Sequence, residues 1–229
     1  MKKLVVLTGA GISAESGLKT FRDAGGLWEG YDITDVASPD GWERNPKMVL
    51  DFYNERRKQA LAARPNRAHV ILSELQEDFD VTIITQNVDT LHEQAGSKNV
   101  VHLHGNLFES KSSLDESLIY PIAGWELKLG DLCEKGSQLR PNIVWFGELV
   151  HMIRPAAQLA SEADIFLVVG TSLQVYPAAS LLEYVRHDVD KYIVDPNKPE
   201  SHYLFNVHFI EEKAVRGMTV VKELLQGIT

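Results

Sequence analysis

A short apolar run near the start of the chain leads directly into a turn of small residues. Residues 4–7 are Leu-Val-Val-Leu, which is typical of a buried strand. Small residues then follow at the spacing of a dinucleotide-binding turn, namely Gly9, Gly11 and Ala14. Gly9 would permit a tight turn, Gly11 would let the main chain approach a pyrophosphate, and the next helix would offer free N–H groups to the anion. The spacing alone fits an ordinary strand-to-helix turn equally well, so what it dictates is a strand–turn–helix unit.

The chain departs from the usual mononucleotide-binding unit after Gly17. In that unit the helix leads to a second strand, whose end carries an acidic residue about 20 positions further on. Residues 20–28 lack strand character and combine Phe21 and Arg22 with a glycine pair. We interpret this stretch as a flexible loop that covers the ligand, and the alternative is an ordinary surface loop.

Composition limits the class of protein. The chain has 229 residues, 44% of them hydrophobic and 24% charged, which is ordinary for a globular chain of one large domain or two small ones. No apolar run approaches the ~18 residues of a membrane span, and Met1-Lys2-Lys3 leads into the first strand instead of a signal peptide. We therefore expect a cytoplasmic protein that does not bind a membrane.

Charge and cysteine content argue against two kinds of site. A net charge of −9 without a cluster of Lys and Arg argues against a nucleic-acid-binding surface. Cys133 is the single cysteine, so no disulfide can form within the chain. A zinc site made of cysteines lacks its ligands for the same reason.

Strand and helix patterns alternate along most of the chain. Apolar runs predict strands at residues 81–85, 100–104, 143–145, 165–169 and 192–194. Helical spacing predicts a helix that starts at Asn45-Pro46 and ends before Arg64-Pro65-Asn66, a second with Val70, Ile71 and Leu75, and others at 156–163, 178–185 and 218–225. The alternation predicts an α/β fold with a parallel sheet covered by helices on both faces. Residues 108–139 are irregular and are interpreted as an excursion from that sheet.

Polar residues follow two of the predicted strands. Gln86, Asn87 and Asp89 come after one strand, and His104 ends the next. Ligands bind at the carboxyl ends of the strands in an open α/β sheet, so these side chains should face the cleft next to the glycine turn. They could bind ribose hydroxyls, an amide or a water, and a histidine has a pKa suited to a general base. The alternative is that Asn87 and Asp89 cap the next helix and that His104 is a hydrogen-bonded histidine at a strand end.

Six motifs in this order make the chain resemble the sirtuin family over nearly its whole length. They are Gly9-Ala10-Gly11-Ile12-Ser13 with Glu15-Ser16-Gly17, Phe21-Arg22, Gln86-Asn87-Val88-Asp89, His104-Gly105, Val144-Trp145-Phe146-Gly147-Glu148 and Gly170-Thr171-Ser172. The resemblance implies a Rossmann-like NAD-binding domain, here approximately residues 1–27, 69–107 and 141–229. It also implies a smaller domain built from two insertions, approximately residues 28–68 and 108–140.

The same resemblance implies an NAD-dependent protein lysine deacylase. Its substrates would be acylated lysine side chains of proteins or peptides, and its products nicotinamide, free lysine and an O-acyl-ADP-ribose. His104 would be the catalytic base, and Asn87 would act with it. NAD would be bound by Gly9, Ala10, Gly11, Ile12, Ser13 and Glu15, by Phe21 and Arg22 from the loop, by Gln86, Asn87 and Asp89, and by Gly170, Thr171 and Ser172. Asp195 stands where the family commonly has Asn, and because an aspartate can accept from ribose hydroxyls, NAD should be preferred over its phosphorylated form.

Substrate residues are implied in the same way. The segment Val144 to Glu148, including Phe146 and Gly147, would pair its backbone with the substrate peptide as an added strand, and Val175 is assigned to the same surface. Ala37, Tyr53 and Arg56 resemble the pocket of sirtuins that accept acidic acyl groups. The guanidinium of Arg56 suits the carboxylate of such a group. Succinyl- and malonyl-lysine are therefore expected substrates besides acetyl-lysine. The alternative is that Arg56 pairs on the surface with Asp51 or Glu55.

One departure concerns zinc. Sirtuins usually carry four zinc-binding cysteines in the small domain, whereas this chain has Ser110, Ser112 and Ser113 in one part and only Cys133 in the other. A lone thiolate cannot make a tetrahedral site, so we expect no zinc. Packing would come instead from apolar side chains, namely Leu118, Ile119, Trp125, Leu127 and Leu129.

Two other functions remain open from the sequence. NAD-dependent ADP-ribosyl transfer to a protein, or NAD cleavage, breaks the same first bond, although His104 argues for the deacylase. A nucleotide sensor without turnover would explain the glycine turns but gives His104 and Phe146-Gly147 no purpose. The sequence does not indicate an oligomeric state.

Overall fold

The computed structural model describes residues 1–19, 27–28, 30–199 and 205–227. Phe21, Arg22 and most of the predicted covering loop lie outside the described residues. The strands are β1 (Lys3–Thr8), β2 (Leu27–Trp28), β3 (Tyr31–Asp32), β4 (Asp80–Thr85), β5 (Val100–His102), β6 (Gly105–Ser112), β7 (Ile119–Pro121), β8 (Leu139–Ile143), β9 (Ile165–Val169), β10 (Asp190–Val194) and β11 (Val207–Ile210). The helices are α1 (Gly11–Ala14), α2 (Ile33–Val36), α3 (Pro39–Arg44), α4 (Pro46–Ala62), α5 (Arg67–Glu74), α6 (Leu91–Gln94), α7 (Ile153–Ser161), α8 (Leu181–Tyr184) and α9 (Ala214–Gln226).

Six strands form one parallel sheet in the order β11-β10-β9-β1-β4-β5. β1 lies near the centre, with Leu7 opposite Ile84 of β4 on one side and Val168 of β9 on the other. Continuous apolar strands suit this position because both faces of a parallel sheet are buried. The predicted α/β fold with a doubly covered parallel sheet is confirmed.

Two apolar clusters cover the two faces of this sheet. One face packs against α5 and α9, through residues such as Leu72 and Met218. The other packs against α7 and α8, through residues such as Ala156 and Leu181. Within the described ranges, no helix is long and apolar enough to cross a membrane.

The irregular stretch after residue 105 contains a second, antiparallel sheet. Its strand order is β7-β6-β8, and α2, α3 and α4 precede it in the chain. A third apolar cluster joins α4 to this sheet, with Phe52 and Tyr53 packed against Leu107, Ile143 and Trp145. The prediction of an excursion from the main sheet holds, and its regular parts are β6, β7 and β8, while residues 113–118 and 122–138 form no helix or named strand.

Hydrogen bonds from α4 hold the later segment of this small unit, between Leu107 and Leu127. Asn54 exchanges two hydrogen bonds with the backbone of Leu127, at 3.0 and 2.9 Å. The guanidinium of Arg57 is fully buried and donates to the carbonyl oxygens of Leu107 and Trp125. Burial lowers the pKa of Arg57 to about 10. Polar contacts therefore carry much of the packing that the sequence assigned to apolar side chains.

That packing prediction is wrong for most of its residues. Leu127 is buried, but Ile119 is 49%, Leu129 51% and Trp125 37% exposed. The buried positions of the antiparallel sheet are largely polar instead, and include Ser110, Lys111, Ser112 and Arg140. The positions of apolar residues in this segment therefore do not show which side chains are buried.

Other element boundaries also differ from the prediction. The strand predicted at 143–145 ends at Ile143, and the strand predicted at 100–104 ends at His102, so Val144, Trp145 and His104 lie beyond strand ends. The helix predicted at 178–185 is a 3₁₀ turn followed by α8, and β11 was not predicted. The starts of α4, at Pro46 with Asn45 as its cap, and of β9 agree with the sequence.

Candidate active site

The turn after β1 packs directly against the turn after β9. The N–H groups of Gly9 and Gly11 donate to the carbonyl oxygens of Val169 and Gly170, at 3.1 and 2.9 Å. A Cβ at Gly11 would lie 2.6 Å from Cα of Gly170, and one at Gly9 would lie 2.7 Å from Cβ of Thr171. The sequence explained Gly11 by its approach to a pyrophosphate, and the structure adds a second requirement for glycine at this position. The glycine is required because the two turns touch.

The free N–H groups of this site also differ from the prediction. α1 is only four residues long, and the N–H groups of Ile12 and Ser13 bond to carbonyl oxygens of the same turn. Among the described residues, the N–H groups of Ala10, Thr171 and Ser172 have no acceptor. They lie at the carboxyl ends of β1 and β9, where three backbone donors suit an anion such as a diphosphate.

Gln86 links three strand ends at this edge of the sheet. Its N–H donates to the carbonyl oxygen of Thr8 at the end of β1, and its side chain donates to Oγ1 of Thr171 at 3.1 Å. Its carbonyl oxygen lies 3.1 Å from Nδ1 of His104. The predicted grouping of these side chains with the glycine turn is thus present in the structure.

Asn87 makes hydrogen bonds through its backbone N–H and its side-chain amide nitrogen. Its N–H donates to Oγ1 of Thr85, and its side-chain Nδ2 donates to the carbonyl oxygen of Gly9 and to Oγ of Ser13, at 3.1 and 3.2 Å. The residue is 7% exposed. Its Oδ1 has no donor among the described residues and is not sealed from solvent. This oxygen is available to a ligand.

Asp89 accepts hydrogen bonds at both of its carboxylate oxygens. Its Oδ1 accepts from the N–H of Leu91 and so caps α6, while its Oδ2 accepts from the hydroxyl of Ser13 at 3.1 Å. Burial raises the pKa of Asp89 above its ordinary value, although both hydrogen bonds oppose this. The capping alternative applies to Asp89 but not to Asn87, whose side chain binds the glycine turn.

His104 is arranged as a proton acceptor. Because the Gln86 carbonyl can only accept, Nδ1 of His104 carries a hydrogen, and Nε2 of the neutral ring keeps its lone pair. Burial lowers the pKa of His104 below its ordinary value, which favours the neutral ring at pH 7. The carbonyl oxygen of His104 accepts from the N–H of Val144, so His104 is bonded to the predicted peptide-binding segment.

The predicted peptide-binding segment forms a turn at the end of β8. Phe146 is 51% exposed, and its N–H donates to the carbonyl oxygen of Ala37 at 3.0 Å. Gly147 has a φ of 93°, a conformation that favours glycine. The carboxylate of Glu148 accepts from the N–H of Trp145 and pairs with Arg140. Glu148 therefore holds the turn in shape.

Two of the three residues of the predicted acyl pocket, Tyr53 and Arg56, lie on α4. Tyr53 is fully buried, and its hydroxyl accepts from Nε1 of Trp145 at 3.0 Å. Burial raises the pKa of Tyr53 well above its ordinary value. Arg56 is half-buried, with its guanidinium 5.9 Å from the Phe52 ring centre.

The surface partners considered for Arg56 are engaged elsewhere. Asp51 pairs with Lys47 at 2.6 Å, and Glu55 pairs with Lys58 at 3.5 Å.

Three further predicted residues lie at the rim of the site or outside it. The carboxylate of Glu15 accepts from the N–H of Val215 at 2.9 Å and so caps α9. Asp195 is buried after the end of β10, where it accepts from the N–H of Asn197. Val175 is half-buried in the segment after β9.

Comparison with known proteins agrees with this geometry. A model of the Sir2 family matches residues 9–177, which include both glycine turns, Asn87 and His104. The chain belongs to the Sir2 family. It is therefore a Sir2-family enzyme, and the sirtuin resemblance is confirmed.

Relatives and solved structures of the Sir2 family match nearly the whole chain. A Helicobacter pylori protein (strain ATCC 700392 / 26695) named NAD-dependent protein deacylase is 54% identical over 220 residues, 95% of each chain. A Bacteroides thetaiotaomicron protein of the same name is 51% identical over 230 residues, 98% of each chain. An ADP-ribose complex of a mutant Sir2 homologue has a TM-score of 0.90 at 35% identity, covering 99% of this chain and 93% of that one.

The residues at the usual Sir2 zinc position do not fit a zinc ion. Cys133 donates from its thiol to Oγ of Ser112 at 3.3 Å, and the hydroxyls of Ser113 and Ser137 are 2.7 Å apart. Tetrahedral zinc sites use thiolates and imidazoles, whereas these groups are three hydroxyls and a single thiol, already bonded to one another in pairs. In the described part of the chain, no group of three His, Cys, Asp or Glu side chains could hold a metal.

Sequence reasoning missed two buried histidines behind the site. Nε2 of His69 lies 3.4 Å from Oγ of Ser13, and Nε2 of His92 lies 3.0 Å from Oγ1 of Thr8. Their rings contact edge to face at 5.0 Å. The available signal was a histidine on the apolar face of α5, which by itself is more typical of a core residue.

This pair should make the protein sensitive to acid. Burial lowers the pKa of His69 to about 4 and that of His92 well below its ordinary value, whereas an unfolded histidine titrates near pH 6.5. As pH falls from 6.5 toward 4, the unfolded chain takes up protons that the folded one does not, so the free energy of unfolding falls. Between pH 7 and pH 5, His69 alone should account for about 2 kcal/mol.

Urea unfolding at the two pH values measures this loss. His69→Gln should lose less stability between them than the wild type, and His208→Gln, at an exposed histidine, should match the wild type. An equal loss in His69→Gln and wild type would contradict the assignment.

Proposed function

We propose that the chain is an NAD-dependent protein lysine deacylase that forms nicotinamide and an O-acyl-ADP-ribose. The relatives that match nearly its whole length carry the name of this activity. The observation that carries the proposal is the neutral, half-buried His104, whose Nε2 is kept as a proton acceptor by the bond from Nδ1 to Gln86. A nucleotide sensor would not need this arrangement.

The residues around the two glycine turns fit NAD. The free N–H groups of Ala10, Thr171 and Ser172 would bind the diphosphate. Oδ1 of Asn87 would accept from the nicotinamide amide or a ribose hydroxyl, with Asp89 beside it through Ser13. Gly9, Gly11, Ile12 and Gly170 would shape the turns, and Phe21, Arg22, Glu15 and Asp195 stay assigned to the cofactor as at the outset.

NAD, when bound, supplies the ADP-ribosyl group that takes the acyl group as nicotinamide leaves. Nε2 of His104 would accept the proton of a ribose hydroxyl in that transfer. Its Nδ1–H stays on the Gln86 carbonyl throughout, which keeps the ring in one orientation and one tautomer.

The turn after β8 would receive the substrate peptide. The N–H groups of Val144 and Phe146 are bonded within the protein, whereas the N–H of Gly147 has no acceptor among the described residues. A peptide could therefore pair with Gly147 and with the carbonyl of Val144 as an added strand, with Val175 on the same side. The bond from Val144 to His104 would place the lysine near the base.

Ala37, Tyr53 and Arg56 would form the acyl pocket. A guanidinium one helical turn from a tyrosine suits the carboxylate of a succinyl or malonyl group. Trp145 donates to the Tyr53 hydroxyl, and the carbonyl of Ala37 accepts from Phe146. Tyr53 and Ala37 would therefore be joined to the turn that receives the peptide.

We also propose that residues 28–68 and 108–140, the approximate small domain, fold without zinc. The hydroxyl and thiol contacts at Ser112, Ser113, Cys133 and Ser137 would hold together the two loops that cysteines and zinc join in other sirtuins. Lys135 and Asp115 add an ion pair of 2.7 Å across the same loops.

The first test is deacylation by His104→Ala. Mass spectrometry of acetyl-lysine and succinyl-lysine peptides with NAD should show loss of the acyl mass and formation of O-acyl-ADP-ribose with the wild type. His104→Ala should lower the rate at least about 100-fold, because a positioned base contributes that much, while His208→Ala serves as the control. Nicotinamide release without deacylation would favour ADP-ribosyl transfer or NAD cleavage, and no turnover would favour a sensor.

A second test concerns the acyl group. Arg56→Met should lower kcat/KM for the succinyl peptide about tenfold or more, since a hydrogen bond to a charged group is lost, and should change the acetyl peptide much less. Arg44→Met is the matched control, because Arg44 is an exposed arginine paired with Asp35. Succinyl activity unchanged by Arg56→Met would remove the assignment.

The third test is elemental analysis of the purified protein. We expect no stoichiometric zinc, and a thermal unfolding midpoint that a metal chelator does not change. One equivalent of zinc, or a fall in the midpoint with chelator, would refute the metal-free small domain.

A further inference from the structure

His102 contacts both the segment that carries Asn87 and the helix behind it. It is the last residue of β5, two positions before His104. Its Nδ1 lies 3.1 Å from the backbone oxygen of Asn87, and its Nε2 lies 2.7 Å from Oε1 of Glu93 on α6. Both of these oxygens accept, so only a ring that donates from both nitrogens satisfies both contacts. That ring is the imidazolium.

The bond from His102 completes the restraint on Asn87. The N–H of Asn87 binds Thr85, its Nδ2 binds Gly9 and Ser13, and its carbonyl oxygen binds His102. Its Oδ1 is the side-chain atom left for a ligand. A fixed backbone at residue 87 therefore determines where that oxygen lies.

The groups that face His102 favour its charge. Burial opposes the charge, but the hydrogen bond and carboxylate of Glu93, the Asn87 carbonyl and the carboxylate of Asp89 raise the pKa of His102 above its ordinary value. Burial alone would raise the pKa of Glu93, and its contact with His102 lowers it. His92, also on α6, does not compete for the proton because burial lowers its pKa.

We propose that His102 is a positioning residue, whose imidazolium clamps the carbonyl of Asn87 and so holds the Asn87 amide in place for the reaction. The clamp is independent of which reaction occurs. Its effect on turnover rests on the deacylase function proposed above.

The clamp depends on charge. A neutral ring donates from one nitrogen only, so it either releases Asn87 or turns a lone pair toward the Glu93 carboxylate. Turnover should therefore rise with pH as His104 becomes neutral and fall at higher pH as His102 loses its proton. The two limbs of the profile belong to two histidines that are two residues apart.

The experiment measures kcat and KM for the acetyl peptide from about pH 5.5 to about pH 9.5, a range that brackets both limbs. His102→Ala removes both donors. His102→Asn keeps a donor near the position of Nδ1 but cannot titrate. The matched control is His208→Asn, because His208 is an exposed imidazole on β11, 3.3 Å from the Asp190 carboxylate.

We expect His102→Ala to lower kcat about tenfold or more, as for the loss of a hydrogen bond from a charged donor, with little change in the KM for peptide. His102→Asn should recover most of kcat and lose the high-pH fall, and His208→Asn should behave as the wild type. Glu93→Gln should move the fall to lower pH, because the group that raises the pKa of His102 is gone. The proposal would be overturned if kcat of His102→Ala equalled kcat of His208→Asn. It would also be overturned if the fall in kcat at high pH persisted in His102→Asn.

Amide hydrogen exchange without substrate tests the clamp by itself. Exchange over residues 86–89 should be faster in His102→Ala than in His102→Asn, and unchanged in His208→Asn. If His102→Ala does not fold, exchange over residues 86–89 is compared between Glu93→Gln and the wild type, and between the wild type at high pH and at neutral pH. Equal protection within both of these pairs would overturn the clamp. A wild type that turns over no acyl peptide would refute the proposed function, while the exchange result would still decide the clamp.

Discussion

The site depends on a contact between two backbones that leaves no room for side chains. Gly9 and Gly11 after β1 meet Gly170 after β9, and a Cβ at either of the first two would collide with the opposite turn. Their N–H groups are used to hold the contact, which leaves Ala10, Thr171 and Ser172 as donors for a ligand. The anion-binding edge is thus a product of strand order, because β1 and β9 are neighbours in the sheet.

A buried polar layer lies behind that edge and holds Asn87 and Asp89 in place. Ser13 accepts from Asn87 and donates to Asp89, and His69 closes the layer from α5. Buried polar groups are tolerable when they are hydrogen-bonded, and a satisfied network also imposes one geometry. Burial keeps His69 uncharged and also lowers the pKa of His104, so the rigidity of this layer and the neutral, proton-accepting state of the His104 ring both follow from desolvation.

Sequence patterns predicted the parallel sheet because its strands are continuous apolar runs, as at residues 165–169. They failed for β6 and β8, because the interior there is filled by Ser110, Lys111 and Arg140, and no apolar alternation marks a strand. They placed Asn87, Asp89 and His104 near the glycine turn, because the carboxyl ends of parallel strands meet at one edge of the sheet. They could not reveal the contact of Gly11 with Gly170, which is far along the chain, nor find His69, whose role is visible only in its contact with Ser13.

Arg57 ties together parts of the chain that are made at different times. Its guanidinium, on α4, donates to carbonyl oxygens that are 50 and 68 positions later in the sequence. During synthesis α4 emerges first, and of the three acceptors that Arg57 has in the folded structure only Oδ1 of Asn54 lies on that helix. The small unit therefore cannot close from its N-terminal half alone. A chain that ended before residue 107 would hold α4 without two of the three acceptors of its buried guanidinium.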